Sequence, residues 1–255
     1  MKITKFKKVG IGKYKIYIDN GQTEIFYEDV IVNNNLLLNK ELTNDKLNKL
    51  IKDNYKASIY SLAYNYISKS LRSKKEIEEY LIKKGYDPNL VGDVIKTLIK
   101  KEYINDFNYA KSFINDRINI TNYGPYKIKR DLFDKGITEE IISEVFEDID
   151  NDIFINKLSN LINKYFRLNN KKASSILKIK ALNYFANLGY SKEQVINELD
   201  KVCINPNADY IKKEYNKLYS KYNKKYKDEY LENFIRNKLY QKGFSIDDLD
   251  KIKKD

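Results

Sequence analysis

The 255-residue chain contains no histidine and no tryptophan, a single cysteine, three prolines and nine glycines. Without histidine it lacks the commonest general acid or base, the Ser-His and Cys-His nucleophile pairs, and every His-containing zinc site. The lone Cys203 excludes an intramolecular disulfide, leaves no Cys-rich metal site and suits a reducing cytoplasm. No apolar run is long enough to span a bilayer. The opening Met1-Lys2-Ile3-Thr4-Lys5 lacks the apolar core of a secretory signal. So little glycine and proline also argues against disordered or low-complexity character. Phosphate-binding loops of the Walker type, Gly-x-Ser-x-Gly elbows and Gly-rich dinucleotide turns are missing too. The acidic run Asp148-Ile149-Asp150-Asn151-Asp152 is not followed by the glycine and terminal carboxylate of a calcium loop, so it reads as a capped helix junction. No catalytic residue, metal or cofactor is expected, and the chain reads as a non-enzyme.

What the sequence does contain is a recurring corner. Leu81, Gly85, Tyr86, Asp87, Pro88 and Val91 spell a helix stop joined to a helix start. Glycine can adopt the left-handed conformation that ends a helix, and the apolar residue after it packs back onto the last turn. Asp87 is a capping residue, and Pro88 fits the first helical position, where no amide donor is needed. The pattern returns as Leu132, Gly136, Ile137, Thr138 and Ile142, as Phe185, Gly189, Tyr190, Ser191 and Val195, and as Leu239, Gly243, Phe244, Ser245 and Leu249. Ile77, Ile128, Ala181 and Ile235 stand eight residues before the four glycines, on the same helical face. With the glycines 51, 53 and 54 residues apart, the four corners mark an internal tandem repeat.

The first stretch is different. Ile3 to Val9, Tyr14 to Asp19 and Thr23 to Tyr27 are short and rich in β-branched and aromatic residues, and Asn20-Gly21 is a strong hairpin signal. Three antiparallel strands are expected there, then a short helical or irregular piece around Glu28–Asn35. The expected fold is mainly α: tandem three-helix repeats in an elongated right-handed-helix array, with a small N-terminal antiparallel β-sheet. Its divisions are 1–42 for the β-rich extension, then 43–104, 105–149, 150–204 and 205–255 for the four repeats. The first helix of 43–104 is expected to reach Ser70, with a break near Asp53-Asn54. Ser73 with Glu76 forms a capping box that starts the next one. Most of the 23 tyrosines, including Tyr60, Tyr64 and Tyr66 and the row Tyr215, Tyr219, Tyr222 and Tyr226, read as packing residues.

Net charge is +12, with 48 basic residues of which only Arg72, Arg117, Arg130, Arg167 and Arg236 are arginine. Such an excess suits a polyanionic partner, although lysine-rich composition by itself produces much of it. The basic residues gather on or near the second helix of each repeat. Arg72, Lys74 and Lys75 accompany the first. Lys127, Lys129, Arg130 and Lys135 accompany the next, with Arg117 just before it. Arg167, Lys171, Lys172 and Lys178 surround the third. Repeats about 15–20 Å wide would carry them along about 60–80 Å, a length suited to a polymeric partner. These twelve are the candidate partner- or nucleic-acid-binding residues.

These residues resemble the RecX family, modulators of the RecA recombinase. The resemblance is carried by Arg72-Ser73-x-x-Glu76-Ile77-x-x-x-Leu81-x-x-x-Gly85, by Tyr103-Ile104-Asn105-Asp106-x-x-Tyr109-Ala110, by Arg117, and by Gly124-Pro125-x-x-Ile128-x-x-x-Leu132-x-x-Lys135-Gly136-Ile137. It covers residues 57–146, and the strand-rich start is similar to the extension of some members. A fourth repeat exceeds the usual three. The resemblance implies a cytoplasmic, non-enzymatic protein, expected as a monomer off the membrane. Such a protein binds in the groove of the RecA–DNA filament and restrains RecA ATPase, strand exchange and co-protease functions. Direct contact with single- or double-stranded DNA stays open. The alternative is a general basic helical-repeat DNA-binding protein that needs no RecA.

Overall fold

The computed structural model describes residues 1–169, 173–202 and 208–250. Three strands open the chain: β1 (Ile3–Gly10), β2 (Lys13–Ile18) and β3 (Thr23–Tyr27). They form one antiparallel sheet in the order β1-β2-β3. Asn20 and Gly21 turn β2 into β3, with Gly21 at φ 85°. The helices α1 (Glu28–Asn33), α2 (Asn44–Ile67), α3 (Lys74–Lys83) and α4 (Pro88–Lys100) follow. After them come α5 (Asp106–Ile120), α6 (Pro125–Asp134), α7 (Glu139–Glu147), α8 (Asn151–Leu168), α9 (Ser174–Asn187) and α10 (Lys192–Asp200). The last described helices are α11 (Ala208–Tyr222), α12 (Asp228–Gln241) and α13 (Ile246–Asp250). The protein is thus mainly helical with a small sheet, and every expected helix is found.

The chain divides into two compact units, one made of 1–110 with 135–141 and the other of 111–134 with 142–255. In the first unit the inner face of the sheet sets Ile3, Ile16, Ile18 and Phe26 against Val30, Ile31, Leu36, Leu42 and Leu50. Period-two alternation supplies that face, and a register irregularity between Ile3 and Lys5 lets Ile3 and Phe6 both face inward. Three strands are marginal alone, so the helices beneath them are needed. A second cluster in this unit gathers Ile59 and Ala63 of α2, Ile77 and Leu81 of α3, and Val91, Val94, Ile95 and Leu98 of α4. In the other unit, Phe154, Leu158, Ile162 and Phe166 recur every fourth residue along α8 and are buried. Ile211, Leu218, Leu231, Ile235, Leu239, Phe244 and Leu249 make its C-terminal core, with Tyr210, Tyr215, Tyr222 and Tyr226 packed on it.

One sequence expectation is corrected. α2 runs unbroken through Asp53-Asn54 and ends at Ile67, short of the expected Ser70. Asn54 sits mid-helix for a tertiary reason: its side-chain oxygen accepts from the Tyr27 amide at 2.9 Å and its amide nitrogen donates to the Ile25 carbonyl at 2.8 Å. The side chain therefore substitutes for a further strand along β3, satisfying backbone groups that a sheet edge leaves open.

Candidate partner-binding surface

The four glycine corners close α3, α6, α9 and α12, with φ of 89° at Gly85, 80° at Gly136, 93° at Gly189 and 88° at Gly243. At three of them the residue after glycine donates its amide back across the last turn: Tyr86 to Leu81, Tyr190 to Phe185, Phe244 to Leu239. This is the Schellman turn that the sequence spacing implies. Asp87, Ser191 and Ser245 then accept from amides of the next first turn. The apolar positions of the motif are buried, save Tyr86, which is half-buried.

Three of these corners also seat against the start of another helix, in each case within one unit. In the first unit Ser73, the fully buried N-cap of α3, donates its hydroxyl to the Lys135 carbonyl at 2.7 Å. The Lys135 ammonium reaches back to Glu76 at 2.7 Å. In the second unit the amides of Gly124 and Tyr126, at the start of α6, donate to the Leu188 and Gly189 carbonyls at 2.7 and 3.0 Å. There too the amide and hydroxyl of Ser175, at the start of α9, donate to the Gly243 carbonyl. In each case a carbonyl left open at one helix end meets a donor at the start of another, a side-chain hydroxyl for Ser73 and backbone amides at the other two, which brings opposite ends of two helix dipoles together. Burial by itself raises the Glu76 carboxyl. The Lys135 hydrogen bond, the Ser73 amide and the charges of Lys135 and Arg72 outweigh that and hold it below its ordinary value.

The closed ends bear on function. A helix N-terminus is a natural anion site, but those of α3, α6 and α9 already donate to carbonyl or carboxylate oxygens. A polyanion at these places would have to be met by side chains. Lys74, Arg130 and Arg167 are exposed. Lys75 is exposed and pairs with Glu79, and its stem covers Gly136. Lys127 pairs with Asp131 and lies 5.1 Å from the Tyr123 ring centre. Lys135 pairs with Glu76 and Lys178 with Asp200. Arg72 stacks 4.6 Å over Tyr66, which lies parallel to Tyr80 at 4.0 Å. Arg117 sits 4.6 Å over Phe113, and Lys129 4.6 Å over Phe146. The Nε atoms of Arg72 and Arg117 are buried without a hydrogen-bond partner. Lys171 and Lys172 lie outside the described residues, as does Cys203. Asp150 of the acidic run caps α8 by accepting from the Asp152 amide, and no metal-binding cluster is found among the described residues.

Two sets of basic residues went unremarked in the sequence. Lys157 of α8 donates to the carbonyls of Ile118 and Thr121 at the end of α5, and burial lowers its pKa. No local pattern announces so distant a cap. Lys5, Lys7, Lys13 and Lys15 share the outer face of the sheet, and their i, i+2 spacing in β1 and β2 is the signal that places them together.

Comparison with known proteins places these features in one family. The model for the first three-helix domain of RecX matches residues 60–98, and that for the second matches 105–145. Regulatory protein RecX of Listeria innocua is 32% identical over 242 residues, covering 92% of this chain and 88% of that protein. Regulatory protein RecX of Bacillus mycoides is 29% identical over 253 residues, with 93% and 91% covered. A crystal structure of a regulatory protein RecX shares the fold at a TM-score of 0.70 and 24% identity, covering 79% of this chain and 99% of that one. RecX from Lactobacillus salivarius superposes at a TM-score of 0.54 with 27% identity, over 58% of this chain and 98% of its own. With its glycine corners, its two matched three-helix domains and relatives this similar across most of its length, the chain belongs to the RecX family of regulatory proteins.

Proposed function

We propose that this protein binds the RecA–DNA filament in the cytoplasm and restrains RecA's ATP hydrolysis, strand exchange and co-protease functions, with no catalytic chemistry of its own. The observation that carries this reading is the 32% identity to a regulatory protein RecX across 92% of the chain. Exposed cations near the closed helix ends support it physically, since Lys74, Arg130 and Arg167 are able to meet phosphate or carboxylate. On this reading residues 43–104, 105–149, 150–204 and 205–255 act as four repeated three-helix modules behind the extension 1–42. The test is RecA-dependent ATP hydrolysis on single-stranded DNA with added protein. Inhibition at substoichiometric protein is expected, and an unchanged rate at equimolar protein overturns the reading.

The net charge of +12 favours a second reading, a DNA-binding helical repeat that needs no recombinase. It predicts affinity for naked DNA that falls steeply with salt. Gel shifts with and without RecA separate the two, because on the first reading RecA tightens association and on the second it makes no difference.

A further inference from the structure

The outer face of the N-terminal sheet is laid out as a three-by-three grid. Lys5, Tyr17 and Thr23 are opposed across the three strands, then Lys7, Lys15 and Ile25, then Gly10, Lys13 and Tyr27. Four of the nine positions are lysine and none is acidic; Glu24 pairs with Ile16 on the inner face. Lys7 and Lys15 stand directly opposite each other, a like-charge pairing that weakens a sheet. Among the described residues no carboxylate pairs with any of the four, although ion pairs are frequent elsewhere in the molecule. A face selected only for solubility interleaves both signs; this one does not. Three of its four cations, all but Lys7, sit over aromatic rings instead. Lys5 and Lys15 lie 5.9 and 5.5 Å from the Tyr17 ring centre, and Lys13 lies 4.8 Å from that of Tyr27. Ile25 between the two rings is half exposed.

We infer that this face is a binding platform for single-stranded DNA, separate from the helical surface of the filament reading and independent of it. Rows two residues apart along a strand are about 6.7 Å apart, a step that an extended single strand can match nucleotide by nucleotide. Tyr17 and Tyr27, two rows apart, offer stacking faces for two non-adjacent bases once their lysines swing onto the flanking phosphates. Aromatic rings on a basic surface are the general means of holding single strands without sequence preference. A duplex, whose bases are stacked internally, gains from the lysines but not from the tyrosines. Past the third row the face opens into a cleft of about 800 Å³ lined by Lys13, Tyr27, Tyr60 and Tyr64, where Glu28 and Asp29 bound the anionic path.

The test is fluorescence anisotropy of the full chain with labelled oligothymidylate across a salt series, without RecA. Two variants are compared: Lys5→Gln/Lys7→Gln/Lys13→Gln/Lys15→Gln, and Tyr17→Leu/Tyr27→Leu. The four lysines and Tyr17 lie on the outer face, Tyr27 also packs in part against the core beneath the sheet, and thermal melting checks that each variant folds. The lysine variant should bind about tenfold or more weakly and lose about three from the log–log salt slope, near 0.7 for each phosphate contact. The tyrosine variant should bind oligothymidylate at least fivefold more weakly, with duplex affinity unchanged. No measurable binding by the natural chain at low salt overturns the inference. So does unchanged affinity in the lysine variant, or an equal loss for duplex and single strand in the tyrosine variant.

Discussion

A glycine at a helix corner can be required for its backbone angle, for its lack of a side chain, or for both, and this chain separates the cases. A methyl group added at Gly85 meets no atom within 4 Å, so only the φ of 89° resists substitution. At Gly124 φ is ordinary, but a methyl would come within 2.5 Å of the Gly189 carbonyl. At Gly189 φ is 93° and a methyl would come within 2.4 Å of the Lys127 amide nitrogen. Backbone cannot swing aside as a side chain can. Gly85→Ala should therefore cost about 1–2 kcal/mol and Gly124→Ala about 1–3 kcal/mol, with Gly189→Ala near the sum of the two. Urea unfolding of the three variants measures this, and equal losses at Gly85 and Gly189 would contradict the seating of that corner. Tyr190, the residue after Gly189, is a second case: its hydroxyl is buried without a partner, and burial pushes its pKa up to about 12. Tyr190→Phe should be neutral or stabilising by up to ~1 kcal/mol, since it removes an unsatisfied polar group. A pKa raised in the folded state gives stability that is complete below the tyrosine's unfolded value near 10 and is lost as pH rises through about 12. The natural chain should accordingly lose stability more steeply than the variant over that interval.

Among the elements, the contrast between α3 and α10 isolates what a junction adds to a cap. Ser191 starts α10 with a capping box to Gln194. Ser73 starts α3 with the same box to Glu76 and in addition donates to the Lys135 carbonyl. Ser191→Ala should cost ~1 kcal/mol, and Ser73→Ala about 2–3 kcal/mol, because it also strands a carbonyl in a buried place. Matching midpoint shifts in urea would mean that the junction contributes nothing. The Glu76 carboxyl, held below its ordinary 4.5, adds stability that is present above that value and fades as pH falls through its depressed folded value. Glu76→Gln should therefore flatten the acid limb of stability against pH. Caps and corners were legible in the sequence because their code is local: a glycine, an apolar residue and a capping residue within seven positions. The junctions were not, since nothing near Ser73 announces a residue as remote as Lys135. Asn54 shows the same limit, reading as a helix break while it braces β3. The candidate surface was legible only in part for this reason. The recurrence of Lys75, Lys127 and Lys135 partly reflects corner packing and ion pairing, and a sequence pattern does not distinguish a paired cation from a free one.

For the whole molecule, the excess of positive charge is divided between cations that hold the fold and cations that meet water. Lys127, Lys135 and Lys178 are engaged with Asp131, Glu76 and Asp200, whereas Lys74, Arg130 and Arg167 are exposed. A charge held in an ion pair must leave its carboxylate before it can neutralise a phosphate, and this offset is largest where the pair is short and partly buried, as for Lys135 and Glu76 at 2.7 Å. An exposed cation releases counterions at no such cost. Replacing Lys74, Arg130 and Arg167 with alanine should leave the melting temperature within a degree or so, since truncating an exposed side chain usually changes stability little and the backbone bonds of the caps are kept. If the protein restrains RecA as proposed, the same variant should weaken inhibition of RecA-dependent ATP hydrolysis and make it less sensitive to salt. The set Lys127→Ala, Lys135→Ala and Lys178→Ala should do the reverse, losing about 1–3 kcal/mol of stability while inhibition at moderate temperature persists. Should the paired set abolish inhibition while the exposed set leaves it intact, partner binding would have to run through the helix junctions themselves, and the division of charge between fold and partner would be wrong.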